Sequence, residues 1–234
     1  METDLNILLT AAIFIGIIHT VIGPDHYLPF IMIAKARNWS LGKTTSVTLL
    51  CGVGHVLGSV VLGMVGIALG VALGILEQVE SVRSEWASWL LVGFGVAYAT
   101  WGLRIGYRAR EHTHVHHHND NTHTHLHQHL GRHVHLHDEG KMLTTWALFI
   151  VFILGPCEPL IPILMYPAAQ GSWSDILWVT LAFGITTVAT MTGIVVVTSK
   201  GLLHIKLGLL ERYIHAIAGV IIAISGLSIK LFGL

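Results

Sequence analysis

The feature that most constrains this chain is a series of long apolar stretches, each about as long as a membrane is thick. A helix needs about 20 mostly apolar residues to cross a bilayer. Charged residues make up only 11% of the 234 residues, whereas a soluble domain carries about 25%. The sequence therefore predicts an all-α membrane protein with six transmembrane helices. The six stretches cover residues 5–34, 45–76, 87–107, 143–167, 173–198 and 213–232.

The balance of charges limits the classes of partner that the chain can bind. Thirteen basic residues offset thirteen acidic ones, so the chain has no net positive field to attract phosphate groups. We expect the lipid bilayer as a partner and no nucleic acid, and we leave a homo-oligomer open. The N-terminus, Met1-Glu2-Thr3-Asp4, lacks the positive segment of a cleavable signal peptide. No nucleotide-binding motif is present, and we expect neither a cofactor nor an enzymatic activity.

Lysine and arginine predict the orientation. Eleven of them fall in or beside the connections between stretches 1 and 2, 3 and 4, and 5 and 6, and only Arg83 and Lys230 fall on the other side. Short cytoplasmic loops carry the excess of positive residues. We therefore expect a multi-pass protein of the inner (cytoplasmic) membrane with both termini outside.

An internal repeat divides the chain. Each half has three helices, and because three is an odd number the second half would enter the membrane from the other side, which is the inverted repeat of secondary transporters. The alternative is chance similarity among apolar helices. The predicted halves are residues 1–107 and 142–234, with a cytoplasmic loop at 108–141. The matches are VTLLCG at 47–52 with VTLAFG at 179–184, Gly23-Pro24 with Gly155-Pro156, and Gly95 and Gly102 with Gly219 and Gly226.

Both Gly-Pro pairs lie inside an apolar stretch, and a carboxylate follows each. Proline lacks an N–H and opens a helix, so we predict breaks in helices 1 and 4. Asp25 and Glu158 follow these breaks and are the only charged residues deep inside a predicted span. A mid-membrane carboxylate costs roughly 2.5–3.5 kcal/mol and usually marks an ion or substrate path. The alternative is a structural carboxylate bonded to the other half. We predict that both acids share one polar cavity, lined by His26 and His55.

Histidines accompany these acids. Imidazole with carboxylate suits nickel, cobalt, zinc or iron among divalent ions. A single intramembrane histidine is often a satisfied polar residue that holds helices together, but three beside a carboxylate and a break indicate a metal site. The candidate ligands are His19, Asp25, His26, His55, Cys157 and Glu158.

Twelve of the seventeen histidines fall between residues 112 and 137. Such a tract is typical of metal binding. Its alternation is not expected to form strands, because the tract has no apolar core to cover. The predicted loop ligands are His112, His114, His116, His117, His118, His123, His125, His127, His129, His133, His135 and His137.

These motifs resemble a known family. The run from His19 to His26 is similar to the histidine–aspartate–histidine signature of the nickel/cobalt transporter superfamily, and Gly52-Val53-Gly54-His55 resembles its next helix. The histidine loop followed by Gly155-Pro156-Cys157 is similar to the nickel/cobalt efflux branch and to urease-accessory permeases. The resemblance implies that His19, Asp25, His26 and His55 handle the metal.

We therefore predict a secondary transporter of a divalent transition metal, with Ni²⁺ or Co²⁺ preferred and the direction unresolved. Two alternatives stay open. One is a membrane thiol-redox electron carrier that uses Cys157 and Cys51, since a proline–cysteine pair at a helix break also occurs in such carriers. The other is an exporter of a small anion such as sulfite, which would need cationic groups at the midplane.

Overall fold

Helices make up most of the fold. The computed structural model describes residues 2–108, 112–118, 121–127, 138–155, 157–203 and 208–232. Short 3-10 helices cover Pro24–His26 and Gly208–Tyr213. The longer elements are α1 (Glu2–Ile22), α2 (Leu28–Ala36), α3 (Leu41–Ala68), α4 (Leu73–Arg108), β1 (His112–His118), β2 (Asn121–His127), α5 (Asp138–Leu154), α6 (Leu160–Ala169), α7 (Trp173–Leu203) and α8 (Ile214–Phe232).

Four segments in the described chain are long and apolar enough to cross a membrane. They also expose large apolar side chains, as lipid-facing helices do; Phe14 is 65% exposed and Val197 is 72% exposed. This confirms a helical membrane protein in contact with a lipid bilayer. The four candidate spans are Asp4–Ile22, Leu41–Ala68, Trp173–Leu202 and Leu210–Leu231.

The predicted count of six spans is not confirmed, for two reasons. The first and fourth apolar stretches are each divided, into α1 with α2 and into α5 with α6. The third predicted span lies within α4, which begins at Leu73 rather than near residue 87 and includes several charged side chains. The helix α4 is not among the candidate spans found in the described residues.

The divisions fall where the Gly-Pro pairs predict them. The helix α1 ends at Ile22, and Pro24 opens the short 3-10 helix that follows. The helix α5 ends at Leu154, and α6 begins at Leu160. Proline cannot donate the hydrogen bond that would continue either helix, so the breaks follow from local chemistry.

The helices α4 and α8 pack antiparallel through small residues. A Cβ atom added at Gly95 would meet backbone atoms of Gly219 and Ala223, and one added at Gly219 would meet backbone atoms of Gly95 and Ala99. The contacts are reciprocal, because Ala99 and Ala223 stand at the same offset of 124 as the two glycines. Small side chains let membrane helices approach this closely.

The helices α3 and α7 show the same reciprocity. A Cβ atom at Gly52 would meet the Val188 side chain, and one at Gly184 would meet the Val56 side chain. Each glycine and each valine is separated from its counterpart by 132 residues. As residue numbers rise along α3, the numbers of their contacts fall along α7, so this pair is also antiparallel.

The histidine tract contains two strands, so the prediction that it forms none is wrong. The strands β1 and β2 pair antiparallel, with His112 opposite His127, His114 opposite His125, and His116 opposite His123. Pairing satisfies backbone N–H and C=O groups without any apolar core, and the prediction neglected this. The remaining predicted loop ligands, His129, His133, His135 and His137, lie outside the described residues. The division of the chain into two halves and a loop stays a prediction.

Candidate functional site

The first break carries an acid–imidazole pair, in which the acid is partly exposed and the ring is buried. Asp25 Oδ1 lies 3.3 Å from His26 Nδ1, and that nitrogen also lies 3.1 Å from the Gly23 carbonyl oxygen. A carbonyl oxygen only accepts, so Nδ1 of His26 carries the hydrogen. The ring is 2% exposed. The break therefore fixes the orientation of His26 with its own residues.

Three histidines meet beside this break, one each from α1, the 3-10 helix at Pro24–His26 and α3. The rings of His19 and His26 contact edge to face with centroids 4.7 Å apart, and those of His26 and His55 do so at 5.0 Å. His55 lies on α3 and donates from Nδ1 to the Phe152 carbonyl oxygen at 3.2 Å. Nε2 of a neutral His55 ring is therefore a free base. The Nε2 atoms of His26 and His55 are buried and have no hydrogen-bond partner among the described residues.

The second break brings a thiol to these histidines. Cys157 is fully buried, and its Sγ lies 4.0 Å from Nε2 of His19. His19, His55 and Cys157 each offer one ligand atom, and these three atoms lie within 4.8 Å of one another. They are close enough to share a metal ion, and also close enough for a ring nitrogen to take the proton of the thiol.

The structure thus groups most of the predicted site residues. His19, His26, His55 and Cys157 adjoin one another, and Asp25 joins them through His26. Glu158 differs, because its side chain is exposed and lies outside the described metal-ligand group.

Three site residues were missed in the sequence. Glu80 is 1% exposed, and it accepts a hydrogen bond from Ser59 Oγ at 2.6 Å. Arg83 Nη2 donates to the Gly155 carbonyl oxygen at 2.9 Å. Glu80 falls in the predicted connection between stretches 2 and 3, so the burial of its carboxylate was not predicted. The i, i+3 spacing of Glu80 and Arg83, typical of a helical ion pair, is the signal that could have found them.

The second cysteine, Cys51, lies on α3 one helical turn before His55. Its side chain is buried, and like Cys157 it is a free thiol. The two cysteines pack in different apolar clusters, Cys51 with Phe30 and Phe152 and Cys157 with Leu160 and Phe183.

Comparison with known proteins assigns the chain to a family. Residues 28–228 match the family described as cytochrome C biogenesis protein transmembrane region. The searches of curated proteins and of solved structures found no match. The family match overturns the resemblance to nickel/cobalt transporters. It equally overturns the predictions of a nickel or cobalt transporter and of metal binding as its function. Because the match covers most of its length, this chain belongs to the family of cytochrome C biogenesis protein transmembrane regions.

Proposed function

We propose that this protein carries reducing equivalents through the membrane as thiols, with Cys157 as the exchanging thiol and Cys51 as its resolving partner. One observation carries the proposal: Sγ of the buried Cys157 lies 4.0 Å from Nε2 of His19, at a helix break. The family supports the same chemistry, since the matched residues 28–228 include both cysteines. In this reading the chain is a carrier between partner thiols, without a cofactor of its own.

The histidines supply the base that such a thiol needs. The thiolate, not the thiol, attacks a disulfide, so a buried cysteine needs a nearby proton acceptor. His19 faces the sulfur, and His55 presents a second unprotonated Nε2 from α3. The Asp25–His26 pair adjoins both rings and is placed to stabilise an imidazolium that forms there.

The exchange balances with two thiols. Cys157 loses its proton to an imidazole and attacks the disulfide of a partner protein, which releases one partner thiol and leaves a mixed disulfide. Cys51 then attacks the Cys157 sulfur, releases the second partner thiol, and closes a Cys51–Cys157 disulfide. Two electrons and two protons pass to the partner. A dithiol protein on the other side of the membrane reduces the new disulfide by the reverse steps.

Closing that disulfide requires movement. Disulfide-bonded cysteines have Cα atoms about 4.4–6.8 Å apart, and the two here pack in separate clusters. Residues 155 and 157–159 lie between α5 and α6, outside either helix. We expect movement there to carry Cys157 toward α3.

We further propose that the two halves form an inverted repeat. The support is the antiparallel packing of α3 on α7 and of α4 on α8, in which contacts repeat when the two helices are exchanged. A two-fold axis perpendicular to the helices would produce this pattern. The lysine and arginine distribution favours an inner-membrane protein whose basic connections are cytoplasmic and whose termini are outside.

The test measures thiol transfer across a sealed membrane. The full chain is reconstituted in vesicles that enclose a disulfide-linked fluorescent reporter, and a membrane-impermeant phosphine reductant is added outside. We expect the wild type to reduce the enclosed reporter, and Cys157→Ser and Cys51→Ser each to reduce transfer to the level of empty vesicles. Unchanged transfer in the Cys157→Ser variant would overturn the proposal.

A further inference from the structure

A buried ion pair on α4 lies against the second break. Glu80 is 1% exposed, and its Oε2 lies 3.0 Å from Nε of Arg83, one turn later on the same helix. Ser59 on α3 is fully buried, and its hydroxyl donates to Glu80 Oε1 at 2.6 Å. Arg83 Nη2 in turn donates to that hydroxyl oxygen. We call Ser59, Glu80 and Arg83 the anchor network.

The anchor network holds the backbone on both sides of Pro156. The Gly155 carbonyl oxygen accepts from Arg83 Nη2 at 2.9 Å. The Cys157 N–H donates to Ser59 Oγ at 3.1 Å and to Glu80 Oε1 at 3.4 Å. A broken helix leaves such groups without helical partners, and water cannot satisfy them in a membrane interior.

The two breaks differ in what holds them. At the first break, the Gly23 carbonyl accepts from the His26 ring and from the His26 backbone N–H, both within the same short segment. At the second, the partners come from α3 and α4, which are distant in the chain. The position of the Cys157 backbone, and with it the thiol, therefore depends on contacts that can be released without unfolding a helix.

We propose that Ser59, Glu80 and Arg83 are positioning residues for the Cys157 thiol. With the network intact, the thiol stays buried against His19. Releasing the network frees the backbone of Gly155 and Cys157 and exposes the thiol for exchange. The inference rests on the proposed function, in which Cys157 exchanges with a partner disulfide.

The experiment uses the full chain with Cys51→Ser, so that Cys157 is its only thiol. Ser59→Ala removes the better acceptor of the Cys157 N–H, and Ser59→Thr keeps a hydroxyl there. Glu80→Gln keeps an oxygen at the same place but removes the charge that holds Arg83. Glu77→Gln is the matched control, since Glu77 is exposed one turn earlier on α4.

Two readouts separate positioning from a structural role. The first is the rate at which N-ethylmaleimide alkylates Cys157, and the second is the equilibrium constant of its mixed disulfide with glutathione. We expect Ser59→Ala to raise the alkylation rate roughly tenfold, about the equivalent of one hydrogen bond. Both readouts should also change in Glu80→Gln. Ser59→Thr should restore the first, and Glu77→Gln should leave both unchanged.

The outcomes are decisive for this inference alone. Unchanged alkylation and an unchanged glutathione constant in the folded Ser59→Ala and Glu80→Gln variants would overturn it. If Ser59→Ala does not fold, Glu80→Gln decides. Failure of the proposed function would show separately, as vesicle thiol transfer that survives Cys157→Ser, because alkylation of Cys157 does not depend on transfer.

Discussion

Gly95 and Gly219 lie against each other where α4 and α8 cross, and neither has room for a side chain. A Cβ atom at Gly95 would lie 2.7 Å from the Gly219 carbonyl oxygen, and one at Gly219 would lie 2.5 Å from the Gly95 carbonyl oxygen. The obstacle is backbone on both sides, which cannot turn away as a side chain can. Overpacking costs about 1–3 kcal/mol. We therefore expect Gly95→Ala and Gly219→Ala to lower the free energy of unfolding by similar amounts in that range, measured by denaturant titration in detergent.

Gly93 provides the control on the same helix. A Cβ atom there would meet no heavy atom within 4 Å. Alanine is favoured over glycine inside a helix by up to about 1 kcal/mol, so Gly93→Ala should leave stability unchanged or raise it. If Gly95→Ala proved as well tolerated as Gly93→Ala, the close crossing would be incorrect.

The elements that the sequence predicted correctly are those set by local chemistry. Apolar length predicts helices, and the missing N–H of Pro24 predicts the end of α1. The predicted start of the third span, residue 87, was too late because charged residues such as Glu80 and Arg83 are typical of a loop. Their burial depends on Ser59 and on the backbone of Gly155, which lie far away in the chain. Such partners are not visible in a charge pattern.

The site was predicted in part, and thiol exchange was predicted only as an alternative to metal transport. His19, His26 and His55 do meet, with neighbouring ring centroids 4.7 and 5.0 Å apart. Imidazoles can bind a metal or accept a proton, so their presence alone does not choose between transport and redox exchange. What favours thiol chemistry in the structure is the contact of His19 with Cys157, across 138 residues of sequence.

The base at the thiol gives the next prediction. His19→Gln keeps a polar side chain but removes the ring nitrogen that faces Cys157 Sγ. General-base catalysis contributes about 10²- to 10⁴-fold, so we expect thiol–disulfide exchange by Cys157 to slow by about 10²-fold. Stopped-flow exchange with a chromogenic disulfide measures this rate in the Cys51→Ser background.

His215 serves as the comparison for that variant. It lies on α8 and bonds to the Tyr98 hydroxyl at 2.9 Å, so it belongs to another aromatic cluster. His215→Gln should leave the exchange rate unchanged. Equal slowing in both variants would mean that His19 acts through the fold rather than as a base.

We predict that the fold and thiol transfer do not depend on the histidine ribbon, the two paired strands β1 and β2. The strand β1, residues 112–118, pairs with β2, residues 121–127. Replacing residues 112–127 by a Gly/Ser linker of the same length changes none of the described helices. We expect the unfolding free energy to change by less than about 0.5 kcal/mol, as for surface changes, and vesicle thiol transfer to continue. Loss of transfer with normal expression and folding would place the ribbon in the electron path.

The ion pair of the anchor network predicts strong coupling between Glu80 and Arg83. Removing one partner leaves an uncompensated charge inside the protein, at a cost of about 3–5 kcal/mol for a buried pair. Arg83 is 16% exposed, so Glu80→Leu should fall at the low end, about 3 kcal/mol. The double variant, Glu80→Leu with Arg83→Met, leaves neither charge behind and should be less destabilised than the sum of the single variants. Unfolding of all four proteins in the same detergent completes this double-mutant cycle.

The exposed pair of Glu85 and Lys230, with Nζ 2.9 Å from Oε1, provides a matched control cycle that involves the same helix. Water screens that pair, so its coupling should be much smaller. If the Glu80–Arg83 coupling were no larger than the Glu85–Lys230 coupling, the ion pair would not be what secures the second break, and the Cys157 thiol would depend on packing alone.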